Sequence, residues 1–349
     1  MPVKASGSRS TGWKEFCDRG TLTMTIRALV TGVTGQDGSY LAELLMQKGY
    51  EVHGIVRPER LAHQALMPEY LQVLLSRIVV HGADLRDSTR ISNICRSVAP
   101  HETYHLGGPS RVDSNVTGSS DVYHAIFGST KALLDALNDR PGSRFFLAGT
   151  SEIFGNPLQT PQSESSARNP RSLYGFAKLA ATDLVARYRT AIGGFACTGI
   201  LFNHESPRRE QFFLSRKVTG GLARVVLGRQ QHVSLGNLDA LRDWGYAPDY
   251  VEAMWSILQH RVAADYVVAT GKTRSVRQLV ETACSVLNLD PASCIEQDPR
   301  FFRPLEPIPL CGDPRFIERE IGWSARKSFE ELIREMVLHD LNAEKKRGG

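Results

Sequence analysis

The sequence predicts an α/β protein in which a doubly wound parallel sheet is joined to a smaller C-terminal lobe. Short apolar runs alternate with helix-length segments between residues 27 and 202, and a cluster of glycines follows the first of these runs. Beyond residue 203 the alternation loosens, and loops that contain arginine and proline separate the helical stretches. Strands that alternate with helices form parallel sheets with right-handed crossovers and with helices on both faces.

The elements of the sheet follow from hydrophobic periodicity, taken in chain order. The apolar run at 28–31 predicts the first strand, and residues 39–49 predict an amphipathic helix. Further strands are predicted at 52–56, 78–80, 103–106, 145–147 and 195–202. In the C-terminal lobe, residues 276–287 and 328–341 have helical periodicity.

Three parts of the chain are distinguished by these patterns. Residues 1–24 are polar and lack the apolar run of a signal peptide or membrane helix, so we expect a flexible extension and no membrane partner. Residues 25–202 form the first domain, with later returns of the chain to its sheet left open. Residues 203–349 mainly form the lobe, which is expected to close a cleft at the carboxyl ends of the strands, where such sheets bind ligands.

Composition excludes several classes of protein. Of the 349 residues, 42% are hydrophobic and 23% are charged, which is typical of globular proteins rather than disordered or fibrous ones. The net charge of +5 is too small for a nucleic-acid-binding surface and suits phosphorylated small molecules better. Six cysteines lie far apart without a C-x-x-C pair, which indicates no metal site, no disulfide framework and a cytoplasmic location.

A phosphate-binding turn is predicted between the first strand and the first helix. The sequence Gly-Val-Thr-Gly-Gln-Asp-Gly occupies residues 32–38. Glycines there let the backbone approach a diphosphate, whose charge is bound by N–H groups at the positive end of the helix. We therefore assign a dinucleotide cofactor to a Rossmann domain, with a plain glycine-rich turn as the alternative. The predicted contacts are Gly32, Gly35, Gln36, Asp37 and Gly38.

The end of the second strand bears on the identity of the cofactor. A carboxylate there binds the ribose 2′-hydroxyl of NAD, whereas a cation accepts the 2′-phosphate of NADP. Arg57 follows the strand directly, and the acidic Glu59 comes later. This order favours NADP. NAD remains open, as does an arginine that lies on the surface and contacts neither cofactor.

Two segments carry candidate acid and base groups. Tyr174 and Lys178 are four residues apart and share one face of a predicted helix, where the ammonium favours the phenolate form of a tyrosine base. Thr150, Ser151 and Glu152 directly follow the apolar strand at 145–147. The hydroxyls are suited to hydrogen-bond a sugar oxygen, and the carboxyl to move a proton. A helix cap is the structural alternative for this segment.

Five motifs can be taken together: the glycine turn, Thr-Ser-Glu at 150–152, Tyr-Gly-Phe-Ala-Lys at 174–178, Asn-His-Glu-Ser-Pro-Arg-Arg at 203–209 and Leu-Arg-Asp-Trp-Gly at 241–245. In combination they resemble the GDP-mannose 4,6-dehydratase family of the extended short-chain dehydrogenase/reductase superfamily. The resemblance extends from about residue 27 to residue 341. The last two motifs are far more specific than the glycine turn.

This resemblance implies roles for particular residues. Thr150, Glu152, Tyr174 and Lys178 would be catalytic, and a homo-oligomer, either dimer or tetramer, is expected. Substrate contacts are implied for Ser151, Asn203, Lys217, Arg242, Arg303 and Glu306. Cofactor contacts are further predicted for Asp84, Leu85, Leu106, Ser110, Tyr174, Lys178, His204 and Arg209.

The implied reaction is the redox-neutral dehydration of a GDP-sugar by a lyase. Hydride leaves C4 for NADP while Tyr174 accepts the hydroxyl proton, Glu152 transfers the C5 proton to the departing 6-hydroxyl, and the hydride returns to C6. An epimerase or 4-ketoreductase of the same superfamily is the nearest alternative, and a non-catalytic cofactor-binding protein is another.

Some positions depart from the family pattern near the expected nicotinamide and sugar. His105 and Pro109 stand where amides are usual, and Arg111 follows Ser110. The paired arginines of the family after the second strand are also missing. The substrate is therefore predicted to be GDP-mannose or a related GDP-hexose or GDP-heptose, although drift alone would also explain these differences.

Overall fold

A seven-stranded parallel sheet lies at the centre of the computed structural model, which describes residues 25–109, 119–302 and 308–347. Its spatial order is β3-β2-β1-β4-β5-β6-β10. These strands are β1 (Arg27–Thr31), β2 (Glu51–Val56), β3 (Val79–Gly82), β4 (Glu102–His105), β5 (Arg144–Ala148), β6 (Phe195–Leu201) and β10 (Asp265–Val268). The doubly wound order confirms the predicted fold class.

Helices cover both faces of the sheet and build the C-terminal lobe. They are α1 (Gln36–Gln47), α2 (Pro58–Ala62), α3 (Glu69–Leu75), α4 (Ser88–Val98), α5 (Ser119–Tyr123), α6 (Ser129–Leu137), α7 (Leu173–Arg187), α8 (Leu214–Val226), α9 (Ala247–Gln259), α10 (Val276–Leu287), α11 (Pro291–Cys294), α12 (Arg315–Ile321) and α13 (Phe329–Lys346). None of the helices in the described ranges is long and apolar enough to cross a membrane.

The two faces of the sheet form separate apolar cores because successive side chains of a strand point in opposite directions. On one face Val30 packs in a cluster with Leu41 of α1 and Ile257 of α9. On the other face Leu29 belongs to a cluster with Ile91 of α4 and Leu133 of α6. Both faces are therefore buried, as the apolar strand sequences predict.

The strand order reverses between β1 and β4, which are neighbours in the sheet. Ligands of open α/β sheets bind in the crevice at such a reversal, outside the carboxyl ends of the strands. The segments that follow β1 and β4 are the glycine turn and residues 106–109. The fold thus brings these two segments together at one edge.

The C-terminal lobe contains two small sheets and a helical layer. The sheets consist of β7 (Asn203–Glu205) with β9 (Leu241–Tyr246) and β11 (Thr273–Ser275), and of β8 (Val233–Leu235) with β12 (Ile295–Gln297). Helices α8, α10 and α13 share an apolar cluster that includes Leu222, Leu279 and Met336. This lobe lies after residue 203, but β10 returns to the central sheet.

The start of α1 and the strand β10 are among the differences from the sequence-based expectations. Helix α1 begins at Gln36, three residues before the predicted start, because the glycine turn leads directly into its first turn. The strand β10 was not predicted, although its sequence Asp-Tyr-Val-Val is short and apolar, as expected for a buried parallel strand. Ser110, Arg111, Arg303 and Glu306 lie outside the described residues.

A buried ion pair joins α13 to α8 and to the loop before α8. Arg216 donates to Asp340 through Nε (3.1 Å) and Nη2 (2.6 Å), and Thr219 donates to the same carboxylate (2.6 Å). The Arg216 guanidinium also donates to the carbonyl oxygens of Pro207 and Arg209. Asp340 is therefore the anion that holds this cation in place.

We expect Asp340→Ala to lower the free energy of unfolding by about 3–5 kcal/mol, because it leaves a buried guanidinium without its counter-ion. Urea denaturation measures the effect. Asp135→Ala is the matched control, since Asp135 pairs with Lys131 on an exposed helix face; it should cost less than about 1 kcal/mol. Equal losses in the two variants would show that the Arg216 pair does not hold the lobe.

Candidate active site

The backbone of the glycine turn after β1 is packed so closely that a side chain at Gly32 or Gly38 would clash. Gly32 has φ of +71°, and a Cβ on it would lie 2.8 Å from Cα of Gly107. A Cβ on Gly38 would lie 2.2 Å from the Gly32 carbonyl oxygen. The N–H of Gly35 donates to that same oxygen (2.9 Å). The turn therefore presents bare backbone at the N-terminus of α1, which is the arrangement that binds a diphosphate.

A cleft of about 1070 Å³ opens from this turn. The loops that follow β1, β2, β3 and β4 line it, together with the segment after β7. The predicted site residues that line it are Gly32, Gly35, Gln36, Asp37, Gly38, Arg57, Asp84, Leu85, Leu106, Arg209 and Lys217. The structure thus places predicted cofactor residues of five separate segments around one space.

Cations line the cleft beyond the end of β2. Arg57 and Arg60 both border it, and the Nε of Arg60 is buried without a hydrogen-bond partner. Arg208 borders it as well, with its guanidinium stacked between the rings of Tyr40 (3.9 Å) and Tyr70 (4.5 Å). Sequence analysis missed Arg60 and Arg208, although each is close in sequence to a predicted arginine.

The first turn of α1 is tied to the segment after β6. His204 Nε2 contacts the Asp37 carboxylate (2.9 Å), and its Nδ1 donates to the Phe202 carbonyl oxygen (2.7 Å). Gln36 donates to the His204 carbonyl oxygen (3.0 Å) and accepts from Ser206 (2.9 Å). His204 is buried in this pairing and holds Asp37; it does not line the cleft.

The pKa values of this pair shift in opposite directions. Burial alone would lower the pKa of His204, but the charge and hydrogen bond of Asp37 outweigh it and raise that pKa. Burial would raise the pKa of Asp37, but His204 and Arg209 hold it below its usual value. The two shifts both favour an imidazolium that faces a carboxylate.

The predicted acid and base groups lie just after β5 and at the start of α7. The Thr150 hydroxyl hydrogen-bonds the Tyr174 phenol, and the Lys178 ammonium donates to the Ala148 carbonyl oxygen (2.8 Å). Lys178 Nζ lies 5.9 Å from the centre of the Tyr174 ring. Thr150 also caps the turn that follows, since its hydroxyl accepts from the Glu152 N–H (3.3 Å). Capping and a place in the site coexist in this residue.

Burial dominates the acidity of both groups. It raises the pKa of Tyr174 to about 12, with a further increase from Glu152 that the Thr150 hydrogen bond opposes. It lowers the pKa of Lys178 to about 8, against the effect of Asp37. Without a ligand, the lysine is thus an ammonium and the tyrosine a neutral phenol at neutral pH.

A second, small pocket adjoins these groups. Ser151, Glu152, Asn203 and Arg242 line it together with residues of the lobe. Four predicted substrate or catalytic residues from three segments therefore meet at one place. Lys217 lies elsewhere, in the large cleft, with its Nζ 3.6 Å from the centre of the Phe301 ring.

Comparison with known proteins establishes the family. A family model described as GDP-mannose 4,6 dehydratase matches residues 29–336. The chain belongs to this family. It is 40% identical over 356 residues to GDP-mannose 4,6-dehydratase of Vibrio cholerae, covering 91% of this chain and 94% of the relative. It is 41% identical over 342 residues to GDP-mannose 4,6 dehydratase of Homo sapiens, covering 90% and 91%. The resemblance found in the motifs is confirmed.

Solved structures show the same fold at lower identity. The structure of RMD from Pseudomonas aeruginosa complexed with NADPH has a TM-score of 0.77 and 22% identity, and the match covers 91% of this chain and all of that chain (100%). At this identity the likeness concerns the fold.

One departure from the family pattern has a different place from the one expected. His105 is 1% exposed and lies beneath the strand ends, so it does not face the cleft. Both of its ring nitrogens contact buried hydroxyls. Pro109, by contrast, lines the large cleft. The alternation of side chains along β4 turns His105 to the face of the sheet that α6 covers, where it contacts Ser129.

The Asp37–His204 pair makes the stability of this dehydratase-family protein depend on pH. The pKa of His204 is raised in the folded state, so its contribution is complete below about pH 6.5 and is lost as pH rises through the folded pKa. The pKa of Asp37 is lowered, so its own contribution is lost only in acid. We expect His204→Asn to lower the free energy of unfolding more at about pH 6 than at about pH 9.

Urea denaturation of wild type and variant at the two pH values measures this difference. His63→Asn serves as the control, because His63 is exposed. A difference between wild type and His204→Asn that stays constant or grows toward high pH would contradict the assigned ion pair.

Proposed function

We propose that the protein is a GDP-sugar 4,6-dehydratase that converts GDP-mannose, or a closely related GDP-hexose or GDP-heptose, to the GDP-4-keto-6-deoxy sugar. The observation that carries this proposal is the meeting of Glu152 with Asn203 and Arg242 in one pocket beside the Tyr174 phenol. An epimerase needs the phenol and the lysine but no second acid/base group at this place. Family membership supports the same conclusion.

A nicotinamide dinucleotide is the cofactor that the large cleft fits. The bare backbone of the turn at Gly32, Gly35 and Gly38 leaves room for a diphosphate at the N-terminus of α1. We propose NADP rather than NAD, because Arg57 and Arg60 border the cleft where the 2′-phosphate of the adenosine ribose would lie. A bound nicotinamide would supply the acceptor, and later the donor, of the hydride that moves from C4 to C6.

Tyr174 is proposed as the base for the 4-hydroxyl of the sugar. Its phenol is held by the Thr150 hydroxyl, and the buried Lys178 ammonium is fixed by the Ala148 carbonyl oxygen. Because burial raises the pKa of Tyr174 to about 12, the phenol keeps its proton until positive charge enters the site. Removal of the 4-hydroxyl proton of the sugar thus depends on the binding of a positively charged nicotinamide ring.

Glu152 is proposed to carry out the elimination. A ketone at C4 acidifies the C5 proton, and a carboxylate in the small pocket removes it. The same carboxyl, now protonated, gives its proton to the 6-hydroxyl, which leaves as water. The hydride that left C4 ends on C6, and the proton that Tyr174 took from the 4-hydroxyl supplies the one that C5 needs after the hydride is added, so atoms and electrons balance.

The remaining cations are proposed to bind the nucleotide part of the substrate. Arg242 lines the small pocket beside the neutral amide of Asn203, and Lys217 lies on the cleft side of α8. A diphosphate carries two negative charges and is bound best by such cations. The roles of Ser110, Arg303 and Glu306, like the predicted homo-oligomer, stay predictions.

Incubation of the purified protein with GDP-mannose and no added NADPH tests the function directly. We expect a product lighter than the substrate by one water, detected by mass spectrometry, because the cofactor is regenerated in each turnover. An isobaric product would indicate an epimerase instead. Unchanged GDP-mannose together with conversion of another GDP-sugar would move the proposal to that sugar.

Glu152→Gln should slow the loss of water by about 10²–10⁴-fold while still allowing reduction of the cofactor, because it removes the group that transfers the C5 proton. Absorbance of the reduced nicotinamide and product mass measure the two events. Tyr174→Phe should abolish both, since it acts before the elimination. Glu281→Gln, on an exposed position of α10, is the control. Water loss at the wild-type rate in Glu152→Gln would refute its role.

Arg57→Ala and Arg60→Ala should each weaken NADPH binding by about 10- to 100-fold, because each removes a charge-assisted contact with the 2′-phosphate. NADH binding should change by less than about threefold, since NADH lacks that phosphate. Fluorescence titration of the cofactor-free protein gives both affinities. The exposed Arg77→Ala controls for the change in net charge. Equal losses for the two cofactors would exclude these arginines as phosphate ligands.

A further inference from the structure

A continuous chain of buried hydrogen bonds runs beneath the cleft. The Thr31 hydroxyl contacts His105 Nδ1 (2.7 Å), and the Ser129 hydroxyl contacts His105 Nε2 (2.9 Å). The Gly107 N–H donates to the Thr31 hydroxyl (2.9 Å), and the Ser129 hydroxyl donates to the Ala125 carbonyl oxygen (2.7 Å). The chain thus joins the ends of β1 and β4 to the first turn of α6.

The partners of the imidazole determine where its proton lies. Ser129 uses its hydrogen on Ala125, so it accepts from His105 Nε2–H. Thr31 accepts from Gly107 and therefore donates its own hydrogen to His105 Nδ1. One neutral tautomer satisfies every donor and acceptor in the chain. Burial lowers the pKa of His105 to about 3, with a further effect of Lys178 in the same direction, so the ring stays neutral.

The Thr31 end of this chain touches the backbone that borders the cleft. A Cβ on Gly107 would lie 3.0 Å from the Thr31 hydroxyl and 3.1 Å from the Gly32 nitrogen. Gly32 and Gly107 both line the cleft. The orientation of one hydroxyl therefore fixes the separation of the two glycine segments between which a ligand is held.

We propose that His105 is a positioning residue for the cofactor: by accepting a hydrogen bond from Thr31, it orients the hydroxyl that holds Gly107 against the glycine turn. This inference rests on the proposed binding of a nicotinamide dinucleotide in the cleft. The contact with Ser129 orients the ring but does not reach the cleft. The two nitrogens of one imidazole thus have separable roles.

Substitutions that keep one nitrogen position and lose the other separate these roles. The amide of Asn at 105 reaches the place of Nδ1 and can still accept from Thr31, whereas the amide of Gln reaches the place of Nε2 and Ser129. Thr31→Val removes the hydroxyl and keeps the branched shape of the side chain. Ser129→Ala removes only the far end of the chain. The two His105 variants each lose one contact of the ring, whereas Thr31→Val and Ser129→Ala each lose two hydrogen bonds, so stability should fall similarly within each of these two pairs.

Fluorescence titration with NADPH, on cofactor-free protein, measures the effect on binding, and thermal unfolding without cofactor measures stability. We expect His105→Gln and Thr31→Val to weaken NADPH binding by about tenfold, and the double variant to be no weaker than either single one. His105→Asn and Ser129→Ala should weaken binding by less than about threefold. A chain of hydrogen bonds that only stabilised the fold would not separate the variants into these two groups.

Losses of affinity that follow the melting temperature equally in all four single variants would overturn the inference, as would wild-type affinity in Thr31→Val. A wild-type protein that binds neither NADPH nor NADH would instead contradict the proposed function on which the inference rests. The two failures are therefore distinguishable in one set of titrations.

Discussion

The contact between two stretches of bare backbone, at Gly32 and Gly107, is the constraint on which the arrangement of the site depends. It occurs where the order of the sheet reverses, so that the ends of β1 and β4 diverge toward opposite sides of the crevice. A side chain at either glycine would force the segments apart. Because they touch, the N-terminus of α1 and the loops after β2 and β3 all face one cleft.

The acid and base groups lie next to that contact but in a different electrostatic environment. Thr150, Glu152, Tyr174 and Lys178 come from the end of β5 and the start of α7, where burial moves the pKa of Tyr174 up to about 12 and that of Lys178 down to about 8. The cleft, in contrast, is lined by arginines with long side chains. The arginines that can bind anions and the buried groups that can transfer protons thus lie in two adjacent regions of the site.

Local patterns in the sequence predicted the parts of the site that depend on neighbouring residues. The glycine turn, the first strand and the spacing of Tyr174 and Lys178 are of this kind, because a tight turn or a helix face involves residues close in the chain. The place of His105 was not predictable in this way. Its side chain is turned by the pleat of β4 toward partners on β1 and α6, which only the folded sheet brings near.

Long-range pairing explains the other differences. The sequence motif that contains His204 indicated a cofactor ligand, whereas the folded chain uses the ring to hold Asp37 on a distant helix. No sequence motif marked Arg60 as a binding residue, because its place at the cleft depends on the conformation of α2. Strand β10 is short, and its role as the edge of the central sheet follows from pairing with β6.

The engagement of Asp37 by His204 resolves a conflict inside the phosphate-binding turn. A carboxylate in the first turn of a helix interacts well with the helix dipole, yet it also repels any anion that approaches the same N–H groups. The contact with His204 at 2.9 Å raises the pKa of the imidazole and so favours its positive charge, which offsets part of that repulsion. The glycine turn can therefore contain an acidic residue and still bind a phosphate group.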